Sequence, residues 1–161
     1  MRQIRVLILL ILTALLLCGC TGEMYSRYRY PGENTFGKSL LSEVDHKMTV
    51  EEYRIGIELV MQMNAVLSYD GPEADAASDV GALSRYYWFP YYSRPAKVLC
   101  SVQLVNCVRH DDSCNVWVAY SVERYDGAGG VESGSWDVLS LLTVSPDGKG
   151  GWRVVEVRES P

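Results

Sequence analysis

From Lys97 onward the apolar residues recur at every second position, a period that admits strands and excludes helices. Val98, Cys100, Val102 and Leu104 alternate with Leu99, Ser101 and Gln103. After Asp111 and Asp112, which suit a hairpin turn, Val116, Val118, Tyr120 and Val122 alternate with Trp117, Ala119, Ser121 and Glu123. These two runs predict a hairpin. "DGAGGVESG" predicts a long turn, Trp136 to Ser145 a third strand, "PDGKGG" another turn and Trp152 to Arg158 the last strand.

The residues before this meander change period and predict what covers it. Thr49 with Glu52 three residues later forms a capping box, and Val50 to Tyr69 follows a helical repeat. Tyr53, Ile57, Val60 and Leu67 make its apolar stripe with Met63 beside it, while Arg54, Glu58 and Gln62 lie opposite. Asn64 falls inside that stripe, where a buried amide must either be pinned to a strand or turn into a cavity. Gly71 and Pro72 break the chain, and Ala76, Val80, Leu83 and Tyr87 predict a second, weaker helix. Helices followed by a meander define an α+β domain, with N-terminal helices packed on a curved antiparallel sheet of about four strands.

"RYYWFPYYSRP" joins the two halves and is too aromatic for a solvent loop. Tyr87 belongs to the helical stripe and is expected against the sheet. Trp88, Tyr91 and Tyr92 fall outside it; they either close the open end of the core or, with Asn64, line a cavity mouth.

The N-terminus carries an address. Arg2 and Arg5 precede an uncharged run from Val6 to Leu17, too short for a spanning helix of roughly 20 residues but laid out as an export signal. Its end, Leu17-Cys18-Gly19-Cys20, resembles the bacterial lipobox, in which an aliphatic and a small residue precede the lipid-bearing cysteine. That resemblance implies a lipoprotein signal peptide over 1–19, a lipidated tether over 20–48 and a globular domain over 49–161. Cys18 fits the modified position less well, because Leu17 is too bulky for the slot before it. A thiolate can carry diacylglycerol through a thioether, and with a further acyl chain such as palmitate the anchor becomes lasting. The place implied is the extracytoplasmic side of the cell membrane, or the outer membrane if there is one, since Thr21 in place of Asp permits that sorting. Tyr25, Tyr28 and Tyr30 of the tether suit the bilayer interface.

Charge narrows the partners. The chain has 15 basic residues, of which Arg2 and Arg5 leave with the signal, against 20 acidic ones. The Lys and Arg do not cluster, so nucleic acid is excluded as a partner, and electrostatic adhesion to an anionic membrane surface adds nothing. Beyond Cys18 and Cys20 stand Cys100, Cys107 and Cys114. Cys107 and Cys114 flank the turn and are candidates for a disulfide in an oxidising compartment, whereas Cys100 reads as a small core residue. Their spacing of seven would send them to alternate strand faces, so no metal site is expected even with His110 and Asp111 nearby, and no cofactor is implied.

The capped helix, the meander and the closing "DGKGGWRVVEV" together resemble the nuclear transport factor two-like, or SnoaL-like, superfamily over roughly residues 49 to 158. The resemblance implies a conical cavity between helices and sheet, and a function drawn from either of two classes. One is a non-catalytic module that binds a ligand or an envelope protein. The other is a small cavity-type enzyme of the isomerase or hydrolase class, using an Asp, His or Tyr. No motif assigns a catalytic residue here: His46 precedes the helix, His110 sits in a turn, and Asp137 or Glu156 could lie on either face. The binding module is the expectation, and a buried, unpaired carboxylate or His would favour the enzyme.

Overall fold

A computed structural model describes residues 33–89 and 94–159. Two α-helices, α1 (Glu33–Leu41) and α2 (Val50–Leu67), precede four strands, β1 (Lys97–Arg109), β2 (Cys114–Tyr125), β3 (Val131–Pro146) and β4 (Trp152–Glu159). The strands form one open antiparallel sheet in the order β1-β2-β3-β4, giving an α+β architecture.

The capping box at Thr49 and Glu52 starts α2 as the spacing predicts, with both reciprocal hydrogen bonds present. Its buried face differs from the expected stripe. Ile55, Leu59, Met63, Val66 and Leu67 are buried, whereas Tyr53 is exposed and Ile57 and Val60 are half-buried. The true stripe begins at Glu52, a charged residue that hides it from a reading of apolar periodicity. Gly56 lies on it, and a Cβ there would sit 2.6 Å from the Leu104 side chain, so a glycine is what lets α2 approach β1 closely. These α2 residues share one buried cluster with Cys107, Val116, Val118, Tyr120, Val122, Leu142 and Val154 on the inner face of the sheet.

The second expected helix does not form. Two 3₁₀ turns, Glu73–Asp75 and Gly81–Tyr86, take its place. Gly81 has φ of 64°, and a Cβ there would collide with the Val154 carbonyl, so the chain turns rather than continuing a helix. The change of pitch sends Leu83 and Tyr86 into the core and leaves Tyr87 half-buried, a correction to the predicted order.

The expected tether is folded over the residues described. After α1, a 3₁₀ turn (Ser42–Asp45) leads to α2. Phe36 meets Trp117 edge-on at 4.9 Å on the outer face of the sheet. The Asn106 side-chain amide donates to the carbonyls of Glu43, Val44 and His46 at 2.8–2.9 Å. A bulge between Leu104 and Asn106 aims that amide outward and brings Cys107 inward, so Cys100 and Cys107 share the inner face with Cys114, contrary to the alternation expected from their spacing. β3 also starts earlier than predicted. Asp126 Oδ1 accepts from the N–H groups of Ala128 and Gly130, closing the turn within Asp126–Gly130 and releasing Val131 into the strand.

Candidate functional site

At the C-terminal end of α2 the inner face of the sheet changes character. The inward residues of β2 run Val116, Val118, Tyr120, Val122 and then Arg124, a cation that continues the apolar parity. Their partners on β3 run Leu142, Ser140 and Val138, then Ser135 and Ser133. The parity of β3 changes because a bulge falls at Trp136 and Asp137. Asp137 takes φ of 51°, rare for a residue with a Cβ, and its N–H donates to Ser121 Oγ at 2.9 Å. Trp136 is exposed with its indole N–H on Glu123 at 2.6 Å, a carboxylate that Tyr125 also engages. Without this extra residue the serines would face outward.

Arg124 is only 7% exposed, and its guanidinium carbon lies 5.0 Å from the centre of the Trp88 ring. Among the described residues it forms no ion pair and no side-chain hydrogen bond. The ion pairs there are His46–Glu52, Arg85–Glu159, Arg109–Glu51, His110–Glu43 and Arg158–Glu156. Burial pulls its pKa down from the ordinary guanidinium value, while Cys100 and Tyr120 nearby act the other way. The Ser133 hydroxyl opposite is buried with no hydrogen-bond partner among the described residues.

Of the predicted pocket residues, Asn64 and Trp88 reach this end of the layer. Asn64 is exposed, not buried within the stripe, because the helix presents a different face; its Oδ1 accepts the Cys100 thiol at 3.3 Å. Cys100 pairs with Val122, two residues before Arg124 on the same face of β2. Half-buried Trp88 also borders a cleft of about 480 Å³ shared with Asp70, Pro72, Glu73, Phe89 and Arg94. Beside it, Tyr69, Tyr87 and Phe89 pack ring on ring at 5.3–6.4 Å. Tyr91 and Tyr92, and the lipidation candidate Cys20, lie outside the described residues.

Buried Glu52 and half-buried Glu159 are engaged by other groups. Glu52 accepts from the N–H groups of Thr49 and Arg109 and lies 3.1 Å from His46. At the end of β4, Glu159 Oε1 accepts the hydroxyls of Tyr86 at 2.7 Å, Tyr120 at 2.9 Å and Ser140 at 3.1 Å. Burial is the main reason that both tyrosines are pushed well above the ordinary phenol range. His46 and His110 are partly exposed and sit against Glu52 and Glu43, and the latter also accepts from Trp117 and Asn115. Asp137 and Glu156 are exposed. Among the described residues, no group of three His, Cys, Asp or Glu gathers as metal ligands.

Cys107 and Cys114 are both fully buried free thiols in neighbouring diagonal positions of the hairpin. Burial first, and the Cys114 neighbour second, push the Cys107 thiol up to about 12, so in the reduced protein it is inert.

Compared with protein families, curated proteins and solved structures, the chain matches none. Among the described residues, no helix is long and apolar enough to cross a membrane. The site therefore stands on its own geometry. Sequence reasoning missed Arg124 and Ser133. The first had a signal, a basic residue on the buried parity of a strand; the second had none short of knowing the bulge.

Proposed function

We propose that this chain is a lipid-anchored binding module of a bacterial envelope. In this reading Cys20 carries the acyl anchor and holds the protein on the extracytoplasmic side of the cell or outer membrane. The domain is a member of the nuclear transport factor two-like group in which α2 lies over the curved sheet as one wall of a cone. A small ligand or an envelope protein is held at the end of that cone, beside Trp88.

One observation carries this reading: a buried cation, Arg124, stacks on Trp88 and has no ion-pair partner among the described residues. A guanidinium holds its proton throughout the physiological range, so it serves recognition and not proton transfer. The groups an acid–base enzyme would use are occupied. Glu52 caps a helix, and Glu159 is the acceptor for three hydroxyls.

The experiment is a thermal-shift screen of the full chain in detergent against small amphiphilic acids, peptides and cell-wall fragments, repeated with Trp88→Ala. A ligand that binds the native state alone raises the melting temperature with concentration. The reading requires at least one such ligand whose effect disappears in the variant; a screen in which every effect survives Trp88→Ala contradicts it.

A further inference from the structure

We infer that the group recognised at this site is a carboxylate, held jointly by the Arg124 guanidinium and the Ser133 hydroxyl over the face of Trp88. The inference rests on the binding-module reading and names the chemistry of its ligand.

Arg124 and Ser133 are direct partners across β2 and β3, so their side chains leave the same face of the sheet with Cβ atoms about 5 Å apart. Arg124 is buried as a residue, and the Ser133 hydroxyl is shut off from water. Among the described residues the guanidinium has no carboxylate or side-chain acceptor and the hydroxyl has no partner. Buried donors without acceptors are uncommon because they forfeit their hydration. The Ser133 hydroxyl is one among the described residues, and it stands across the strand pair from a guanidinium that has no ion-pair partner among them. A guanidinium is a planar fork that matches the two oxygens of a carboxylate, and a serine hydroxyl adds a third donor at the edge.

The sheet is built to put the hydroxyl there. The bulge at Trp136 and Asp137, with Asp137 held at positive φ, turns Ser133 and Ser135 inward. Strained, register-shifting residues that serve only packing would bring an apolar side chain in; this one brings a hydroxyl opposite an arginine.

Charge selects the monoanion. The buried site offers one formal positive charge, Arg124, and the adjoining cleft that Trp88 borders sets Arg94 against two carboxylates, Asp70 and Glu73. A phosphate dianion would leave charge unneutralised, whereas a carboxylate matches Arg124 one for one. Trp88, with Phe89 beside it on the cleft, offers apolar surface to the ligand body.

The test uses the full chain in detergent with acetate, hexanoate and phenylacetate, each against its primary amide, followed by thermal shift and titration calorimetry. At least one acid should raise the melting temperature at concentrations up to about 10 mM and bind about tenfold or more tightly than its amide. Arg124→Met should abolish that discrimination while leaving the free protein's melting temperature unchanged or higher, since it removes an unpaired buried charge. Ser133→Ala, a gentler change, should weaken acid binding by about threefold to tenfold without altering amide binding. Equal binding of acid and amide overturns the inference and leaves the module reading intact. No binding of any acid overturns it as well, and the screen above then decides the module reading separately. A large fall in melting temperature in Arg124→Met shows a structural arginine and also overturns it.

Discussion

The carboxylate of Glu52 accepts a hydrogen bond from the backbone N–H of Arg109 at 2.9 Å and another from that of Thr49 at 2.7 Å. One side chain thus caps α2 and ties the end of β1 to it. Burial works to raise the pKa of Glu52, but the N–H groups of Thr49 and Arg109, with His46, outweigh it and hold the acid at about 2 against an ordinary 4.5. A carboxyl with a depressed folded pKa contributes stability that is complete above the unfolded value and is lost as pH falls toward the folded one. Glu52→Gln should therefore lower stability at pH 7 by about 1.5–3 kcal/mol. In urea titrations the gap between native and variant should shrink as the pH drops from about 4.5 toward 2. A gap independent of pH across that window would contradict the assignment.

At Asp137 the backbone is in a region that favours glycine. Asp137→Val should cost about 1–3 kcal/mol through strain, while Asp137→Gly should leave stability unchanged or raise it by up to about 1 kcal/mol. Denaturant midpoints of the two variants check this. Equal losses for both would mean that side-chain contacts, not the bulge, decide the position.

Membrane attachment is expected to depend on Cys20. Replacing it with Ser should release the protein or stall it as a precursor, whereas Cys18→Ser should leave fractionation unaltered. The expectation fails if both variants stay equally in the membrane fraction.

Under the proposed export, an oxidant should join Cys107 and Cys114, whose buried thiols occupy neighbouring diagonal positions of the hairpin. Closing that short loop would stabilise the domain by up to about 2–3 kcal/mol. Alkylation of unfolded, unreduced protein followed by mass spectrometry should then modify Cys100 and neither of the other two. Modification of all three is the contrary result.

How far the sequence reached can be judged residue by residue. The four strands and the capping box were legible because alternation and the Thr49–Glu52 spacing are local signals. The buried face of α2 was not, since it opens with a charged residue whose partners lie 57 positions away at Arg109. The helix expected through Ala76 to Tyr87 failed at Gly81, whose positive φ answers to the nearby Val154 carbonyl, a tertiary fact. The fold of 33–45 escaped notice because α1 is short, contains Gly37 at φ 72°, and is held by Asn106 and Trp117 from the sheet. Within the site, Trp88 and Asn64 could be singled out by composition and period. Asn64 meets the sheet at Cys100 and Trp88 meets it at Arg124, and Ser133 joins them only because a bulge changes the parity of β3.

The central claim is that the Trp88 end of the layer binds and does not merely close the core. Trp88→Ala tests it most directly, with the melting temperature measured in the absence and presence of the best stabilising acid. The account predicts a free-protein loss below about 1.5 kcal/mol, the size of a lost cation–π contact and a half-buried ring, together with disappearance of the ligand-induced shift. A loss of about 3–5 kcal/mol, the size expected for truncating a closing aromatic, with the ligand shift intact, would contradict it.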